Sequence, residues 1–281
     1  MQLAPIASAS LVDPDAALRS IQAKGRYVFE ASEFAALTGR DPNSVATKAA
    51  LARLSKTGRI TSLVRHPSTW LIVPAEHQHY GAPPVTWWID DFLRHTDPHH
   101  YVALLSAARH WGSAHYAQQT TQVMVARARR PIEVGRLRVV FTYKAALAKT
   151  PTVTVTSSVA PYRVSTPEAT LLDLIRHCKY IGGLEAIARI AKDFVPAMSG
   201  VGLRKALDGL GQAAAAQRLG FILEALGSRL AGTVDAWLTG RNYRREQLEP
   251  GETLVDEPLN YHPKWRIAYF APQLDLVREL A

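Results

Sequence analysis

A single cysteine, Cys178, excludes an intramolecular disulfide and any metal site built on cysteines alone. Its place in an apolar, helix-patterned stretch makes it a small buried filler, and a chain without disulfides fits a reducing cytoplasm. No run of 18 uncharged apolar residues occurs, and the mildly apolar start lacks the basic region of an export signal, so neither a membrane span nor secretion is expected. The sequence also lacks a phosphate-binding P-loop, a Gly-x-Ser-x-Gly elbow and a His-Glu-x-x-His zinc motif. No lysine has an acid two residues before it, which removes half of the common nuclease site. Gly227-Ser228 could open a nucleotidyltransferase loop, yet Asp235 follows alone where two metals would need a pair of acids. No catalytic residue and no cofactor is expected.

Acids are scarce where bases are dense. The chain of 281 residues carries a formal net charge of +9, which favours a polyanionic partner. Between Arg40 and His66 six lysines and arginines stand against one acid, Asp41. Between Arg94 and Lys149 nine stand against two, Asp97 and Glu133. At this length two domains are expected, with enough chain to build a core without staples.

The first basic stretch lies inside 32–74, the segment around which the rest is organised. Ser32 can cap a helix over 33–38 that Gly39 closes in the left-handed conformation. Asp41 and Pro42 then offer a cap and first position for a second helix reaching about residue 56, which Gly58 ends. On a wheel of about 100° per residue, Thr47, Ala50, Leu51 and Leu54 share one face. Val45, Lys48, Ala49, Ala52, Arg53 and Lys56 share the other, small and basic enough to approach a phosphate-lined groove closely. The alternating run 59–65, the turn His66-Pro67-Ser68 and the return 70–73 predict a hairpin with basic residues at base and tip. Helix, turn, helix, hairpin is the order of a winged helix-turn-helix. Its DNA-binding residues are expected to be Arg40, Asn43, Ser44, Val45, Lys48, Arg53, Lys56, Arg59 and Arg65. A small helical domain with a merely solvated basic face would read the same way, except that ordinary surfaces mix charge signs.

Before this segment, Asp13-Pro14-Asp15 should start a helix running to about residue 23, and 27–29 a short strand beside the wing. The Gly- and Pro-rich run 75–84 is read as a linker. The domains are therefore expected at 13–74 and 85–281. Helices are predicted over 85–95 and 101–111, then strands of a mainly antiparallel, half-buried sheet over 122–126, 136–142, 152–156 and 162–165. Helices follow over 167–178, from 183, over 201–210 and over 213–226; the tail from 236 reads as irregular, with a strand over 264–270 and a final short helix. The fold class is α+β: an N-terminal winged helix followed by an α/β domain whose sheet is covered by helices.

The histidine pairs His77 and His79, His99 and His100, His110 and His115 lack a third ligand in pattern, so no metal site is expected. Glu168 and Asp173 could be acid/base residues, but Glu168 in a first helical turn is also what the helix dipole favours. Arg127, Arg129, Arg130, Arg136 and Arg138 predict a second basic surface, with five guanidinium groups on one rim of the sheet. Either solvent or an anion would have to screen their repulsion.

Tyr101-Val-Ala-Leu-Leu-Ser-Ala-Ala-Arg-His-Trp-Gly112, Arg163-Val-Ser-Thr-Pro-Glu-Ala-Thr-Leu-Leu-Asp173, Gly182-Gly-Leu-Glu-Ala-Ile187 and Arg218-Leu-Gly-Phe-Ile-Leu-Glu-Ala-Leu-Gly227, in that order behind a winged helix, resemble the AbiEi family of antitoxins. The resemblance runs from the winged helix to about residue 230. It implies the regulator half of a type IV toxin–antitoxin system, which binds inverted repeats in its own promoter, represses it and neutralises a toxin similar to a nucleotidyltransferase. It carries over no catalytic residue. The competing reading is a winged-helix protein whose second domain is an enzyme acting on nucleic acid; a neighbouring gene for a nucleotidyltransferase-like protein would favour the first.

Overall fold

Asp13 accepts a hydrogen bond from the Ala16 amide and Pro14 fills the first turn, which starts α1 (Pro14–Gln22). The computed structural model of the chain describes residues 12–113, 120–251 and 258–280. After α1 come β1 (Val28–Glu30), α2 (Ala31–Thr38), α3 (Val45–Lys56), β2 (Ile60–Val64) and β3 (Thr69–Ile72). The three strands form an antiparallel sheet in the order β1-β3-β2. Leu18, Ile21, Phe29, Phe34, Leu51, Leu54, Ile60 and Leu71 pack between sheet and helices.

Two starts differ from the sequence reading. α2 begins at Ala31 behind Glu30, and Ser32 donates its hydroxyl to the Glu30 carboxylate instead of capping. α3 begins at Val45, not at Pro42. The Asp41 carboxylate is taken by the Asn43 amide at 2.7 Å in a local turn. The orphan amide of the first helical turn goes to Ser44, whose Oγ accepts from the Thr47 N–H at 3.1 Å. Gly39 and Gly58 do take the left-handed conformations expected of them, at φ 67° and 71°.

Residues 75–84 form a short 3₁₀ turn, Ala75–His77, and then pack down: Ala82 is buried and Gly81 lies against Gly135 backbone to backbone. The expected helix over 85–95 is broken at Trp88. A 3₁₀ turn, Val85–Trp87, precedes α4 (Ile89–Leu93), because Trp88 turns fully into the core with its Nε1–H on the Pro83 carbonyl.

The second sheet has six strands: β4 (Tyr101–Val102), β5 (Thr120–Val125), β6 (Ile132–Val134), β7 (Leu137–Tyr143), β8 (Thr152–Thr156) and β9 (Pro161–Ser165). Their order is β6-β7-β5-β4-β9-β8, with β5–β7 and β4–β9 parallel and the other three pairs antiparallel. The sheet is thus more mixed than expected. Its central strands are also buried on both faces. Val102, Val123 and Val125 belong to the core shared with the N-terminal helices, whereas Tyr101 and Met124 point into the helical core behind.

In place of the helix expected from residue 101 stand β4 and then α5 (Leu104–His110). The switch is held non-locally by Gln122, whose carbonyl accepts from the Ala103 amide and whose side chain accepts from the Leu105 amide. Behind the sheet stand α6 (Pro167–Arg176), capped by Thr166 as expected, α7 (Gly183–Phe194), α8 (Gly200–Leu210) and α9 (Ala213–Ala225). The tail is more regular than its sequence suggested. It forms α10 (Leu230–Leu238), then β10 (Glu246–Gln247), β11 (Leu259–His262) and β12 (Ile267–Phe270) in a third sheet, and α11 (Ala271–Glu279). Trp265 anchors this part by lying on Gly220 of α9, where any Cβ would meet its ring at 2.2 Å.

Candidate nucleic-acid interface

The outer face of α3 is built by what its inner face buries. Thr47, Ala50, Leu51 and Leu54 are inside. That leaves Val45, Ala46, Lys48, Ala49, Ala52, Arg53 and Lys56 exposed, without an acid among them. Val45 is 83 % exposed, an unusual position for a branched aliphatic side chain and one able to meet a thymine methyl. Asn43 is exposed in the turn before the helix. Ser44, expected to face bases, has its hydroxyl engaged by the Asp41 carbonyl at 2.8 Å and by the Thr47 amide. Arg40 is half-buried at the same turn, and its Nη1 is buried with no hydrogen-bond partner among the described residues.

The hairpin β2–β3 carries Arg65 and His66 exposed at its tip. The tip is braced by the Trp70 Nε1–H on Ser68 Oγ at 3.0 Å and by the Ala31 amide on the Ser68 carbonyl. Arg59 sits at the base in an ion pair with Asp15 of α1 at 3.0 Å. Between α3 and the hairpin runs a groove whose walls are Pro42, Asn43, Lys48 and Ala52 on one side and Arg65, His66 and Trp70 on the other. A second groove opens across the hairpin tip, where His66 and Pro67 face His95, Thr96 and Arg129 of the following part of the chain.

Strand order divides the five arginines of the second basic surface instead of gathering them on one rim. Arg127, Arg129 and Arg130 lie in the connection from β5 to β6, beside the hairpin tip, with Arg129 donating to the Thr96 hydroxyl at 2.6 Å. Arg136 lies in the β6–β7 turn at the far end of β6, over the Tyr80 ring at 5.8 Å. Arg138 pairs with Glu133 across the same hairpin at 3.6 Å.

Lys144 leaves the surface altogether. It is 3 % exposed and places its Nζ 2.6 Å from Asp173 Oδ1 and 3.0 Å from the Tyr101 hydroxyl, which donates to Asp173 Oδ2 at 2.7 Å. Burial and the adjoining Asp173 carboxylate hold the Tyr101 phenol well above its ordinary range. No sequence signal could have paired residues 29 and 43 positions apart from Lys144. Glu168 is buried too, accepting from the Ser199 amide at 3.0 Å. Both acids weighed for catalysis are thus enclosed and occupied by internal partners.

Of the histidines, His77 stands edge-on to Trp87, His79 lies against Tyr80 and His100 is buried beside Asp97; His115 falls outside the described residues. Among the described residues no group of three His, Cys, Asp or Glu side chains is placed to hold a metal.

Residues 101–225 match the family model described as the AbiEi antitoxin C-terminal domain. This part of the chain is an AbiEi antitoxin domain. It runs from β4 to α9 and so contains the whole six-stranded sheet, the connection bearing Arg127, Arg129 and Arg130, and the buried Tyr101–Lys144–Asp173 cluster. The N-terminal helices with their three-stranded sheet, and the tail from α10 onward, lie outside the matched AbiEi segment. Among solved structures, the chain is similar to the RV2827C protein from Mycobacterium tuberculosis, with a TM-score of 0.64 at 18% identity over 97% of this chain and 98% of that one. At that identity the likeness shows a shared fold along the full length. No curated protein matches the sequence. Among the described residues, no helix is long and apolar enough to cross a membrane.

Proposed function

We propose that the protein is a cytoplasmic DNA-binding autorepressor and the antitoxin of a type IV toxin–antitoxin system. Residues 13–74 act as a winged helix-turn-helix that reads inverted repeats in the protein's own promoter. Residues 75–84 connect it to the antitoxin part, 85–281, which counters a nucleotidyltransferase-like toxin. The observation that carries the reading is the exposed face of α3. It is small and basic, free of acids and flanked by a hairpin with Arg65 at its tip, and it stands directly ahead of an AbiEi antitoxin domain.

In this reading α3 enters the major groove with Asn43, Val45 and Lys48 nearest the bases and Arg53 and Lys56 nearest phosphate. Arg65 contacts backbone, since a long cation on a hairpin tip reaches phosphate without a fixed register. Arg40, half-buried at the turn before α3, adds to the positive charge of this face. Arg129 lines the groove at the hairpin tip, and with Arg127 and Arg130 of the same β5–β6 connection it extends the polyanion surface. Arg136 and Arg138, at the other end of β6 and engaged with Tyr80 and Glu133, contribute less. The protein is not an enzyme in this reading, because Glu168 and Asp173 are committed inside the fold.

Fluorescence anisotropy with a duplex from the protein's own promoter tests it. The wild type should bind with strong salt dependence, and a Lys48→Ala, Arg53→Ala double variant should lose that binding with its thermal midpoint unchanged. Promoter binding that survives the double variant would remove α3 from the interface. Rescue of growth by co-expression with the adjacent toxin tests the antitoxin half separately.

A further inference from the structure

A cleft of about 520 Å³ opens between the segment that leaves β3 and residues of α5 and the six-stranded sheet. Its size is that of a small-molecule site. The floor is apolar, from Ala82, Val85, Val102 and Leu137. One wall is the α5 face carrying Ser106, Arg109 and His110, residues whose spacing places them side by side on a helix. Tyr162 of β9 stands against that wall with its hydroxyl 2.9 Å from His110 Nδ1. Tyr80 and His77 supply aromatic rings at the opposite rim, 46 % of Tyr80 remaining exposed.

The polar groups are unevenly placed, and that decides the ligand class. Arg109 is the one fixed cation in the lining, and no acid is present there among the described residues. Burial lowers the pKa of His110, which keeps its ring neutral at physiological pH. Burial also raises the Tyr162 phenol, opposed by the charge of Arg109, which lines the same cleft. One cation and one neutral imidazole suit a singly charged planar anion such as a carboxylate, for which guanidinium geometry is well matched. The apolar floor and the ring-bearing rim suit a flat aromatic body.

The geometry points to this cleft as a binding site for a small aromatic carboxylate, its anionic end on Arg109 and His110 and its ring over Val85 and Leu137 toward Tyr80. Nothing in this assignment depends on DNA binding or on the antitoxin role.

The matched pair 2-naphthoate and 2-naphthol tests it on the full chain by isothermal titration and amide chemical-shift mapping. 2-Naphthoate should bind saturably, about tenfold tighter than the uncharged phenol, the difference expected between charge-assisted and neutral hydrogen bonds. Shifts should concentrate on 80–86, 106–110 and 162. Arg109→Gln, at an exposed position, should abolish the preference for the carboxylate without changing the thermal midpoint. Thr86→Phe, which fills the opposite wall, should weaken both probes together. Equal affinity of the two probes, a carboxylate preference that survives Arg109→Gln, shifts mapping elsewhere, or no saturation in the millimolar range would each overturn the assignment.

Discussion

Lys48 stands exposed on α3 among alanines and other bases, whereas Lys144, at the end of β7, is 3 % exposed with Asp173 at 2.6 Å. Both contribute equally to the formal charge of +9. Only the first can meet a polyanion. A count of bases along the chain therefore overstates the cationic surface of the antitoxin part more than that of the N-terminal unit, whose α3 bases stay exposed. In the antitoxin part the fold withdraws one lysine into the core, ties Arg138 to Glu133 and leans Arg136 on Tyr80. The two regions also answer to different physics. An exposed cation contributes almost nothing to folding and much to counterion release on binding. A buried one is costly to desolvate and is tolerated because its partners are complete.

The largest effect expected from this contrast is on stability. Lys144→Ala should cost about 3–5 kcal/mol by urea denaturation, since it strands a buried carboxylate. Lys144→Met combined with Asp173→Leu should cost far less. If Lys144→Ala were as mild as Lys48→Ala, the contrast would fail. Next comes binding: Lys48→Ala should lose about 1–3 kcal/mol of promoter affinity at unchanged stability. Ser44→Ala should do the reverse, losing about 0.5–2 kcal/mol of stability with its cap and little direct affinity, because its hydroxyl is already engaged.

A smaller effect should appear with pH. Burial lowers the pKa of His100, His110 and His177 in the folded protein. The unfolded chain therefore binds more protons below about pH 6.5. Their stabilising contribution is complete above that pH and is lost as pH falls through the lowered folded values. Urea midpoints at pH 7.5 and 5.5 should show this fall, and His177→Gln should flatten it; a midpoint higher in acid would reverse the sign. The smallest effect concerns the hairpin. Arg65→Ala should reduce the salt slope of promoter binding by about 0.9. Arg59→Ala should reduce it less, since Asp15 already holds that guanidinium at 3.0 Å.

Where local chemistry decides structure, the sequence could be read. Asp13 and Thr166 start helices through their side chains, Gly39 and Gly58 close them because a residue without a Cβ accepts the left-handed backbone, and the buried stripe of α3 follows from spacing alone. Where a distant partner decides, it could not. The apolar run from Tyr101 suits a helix or a buried strand equally, and Gln122 settles the matter from another strand. The third sheet depends on β12 pairing with β10 in parallel and on Trp265 finding Gly220, neither of which leaves a periodic trace. At the candidate interface, the residue types and the exposed face of α3 were legible. The capture of Ser44, the pairing of Arg59 and the separation of Arg136 and Arg138 from Arg127, Arg129 and Arg130 depend on three-dimensional neighbours.

Under the proposed function, one contact made by a glycine bears on operator architecture. Gly81 and Gly135 touch backbone to backbone, where a Cβ on Gly135 would lie 2.1 Å from the Tyr80 carbonyl oxygen. Beside them the Arg136 amide donates to that same oxygen at 2.9 Å. The stretch between α3 and the six-stranded sheet is thus clipped to the sheet and does not behave as a freely jointed tether. Two copies bound to an inverted repeat would then be spaced by their bodies and not by the statistics of a flexible chain. Inserting base pairs between half-sites should consequently cut affinity steeply and recover it only after a full helical turn.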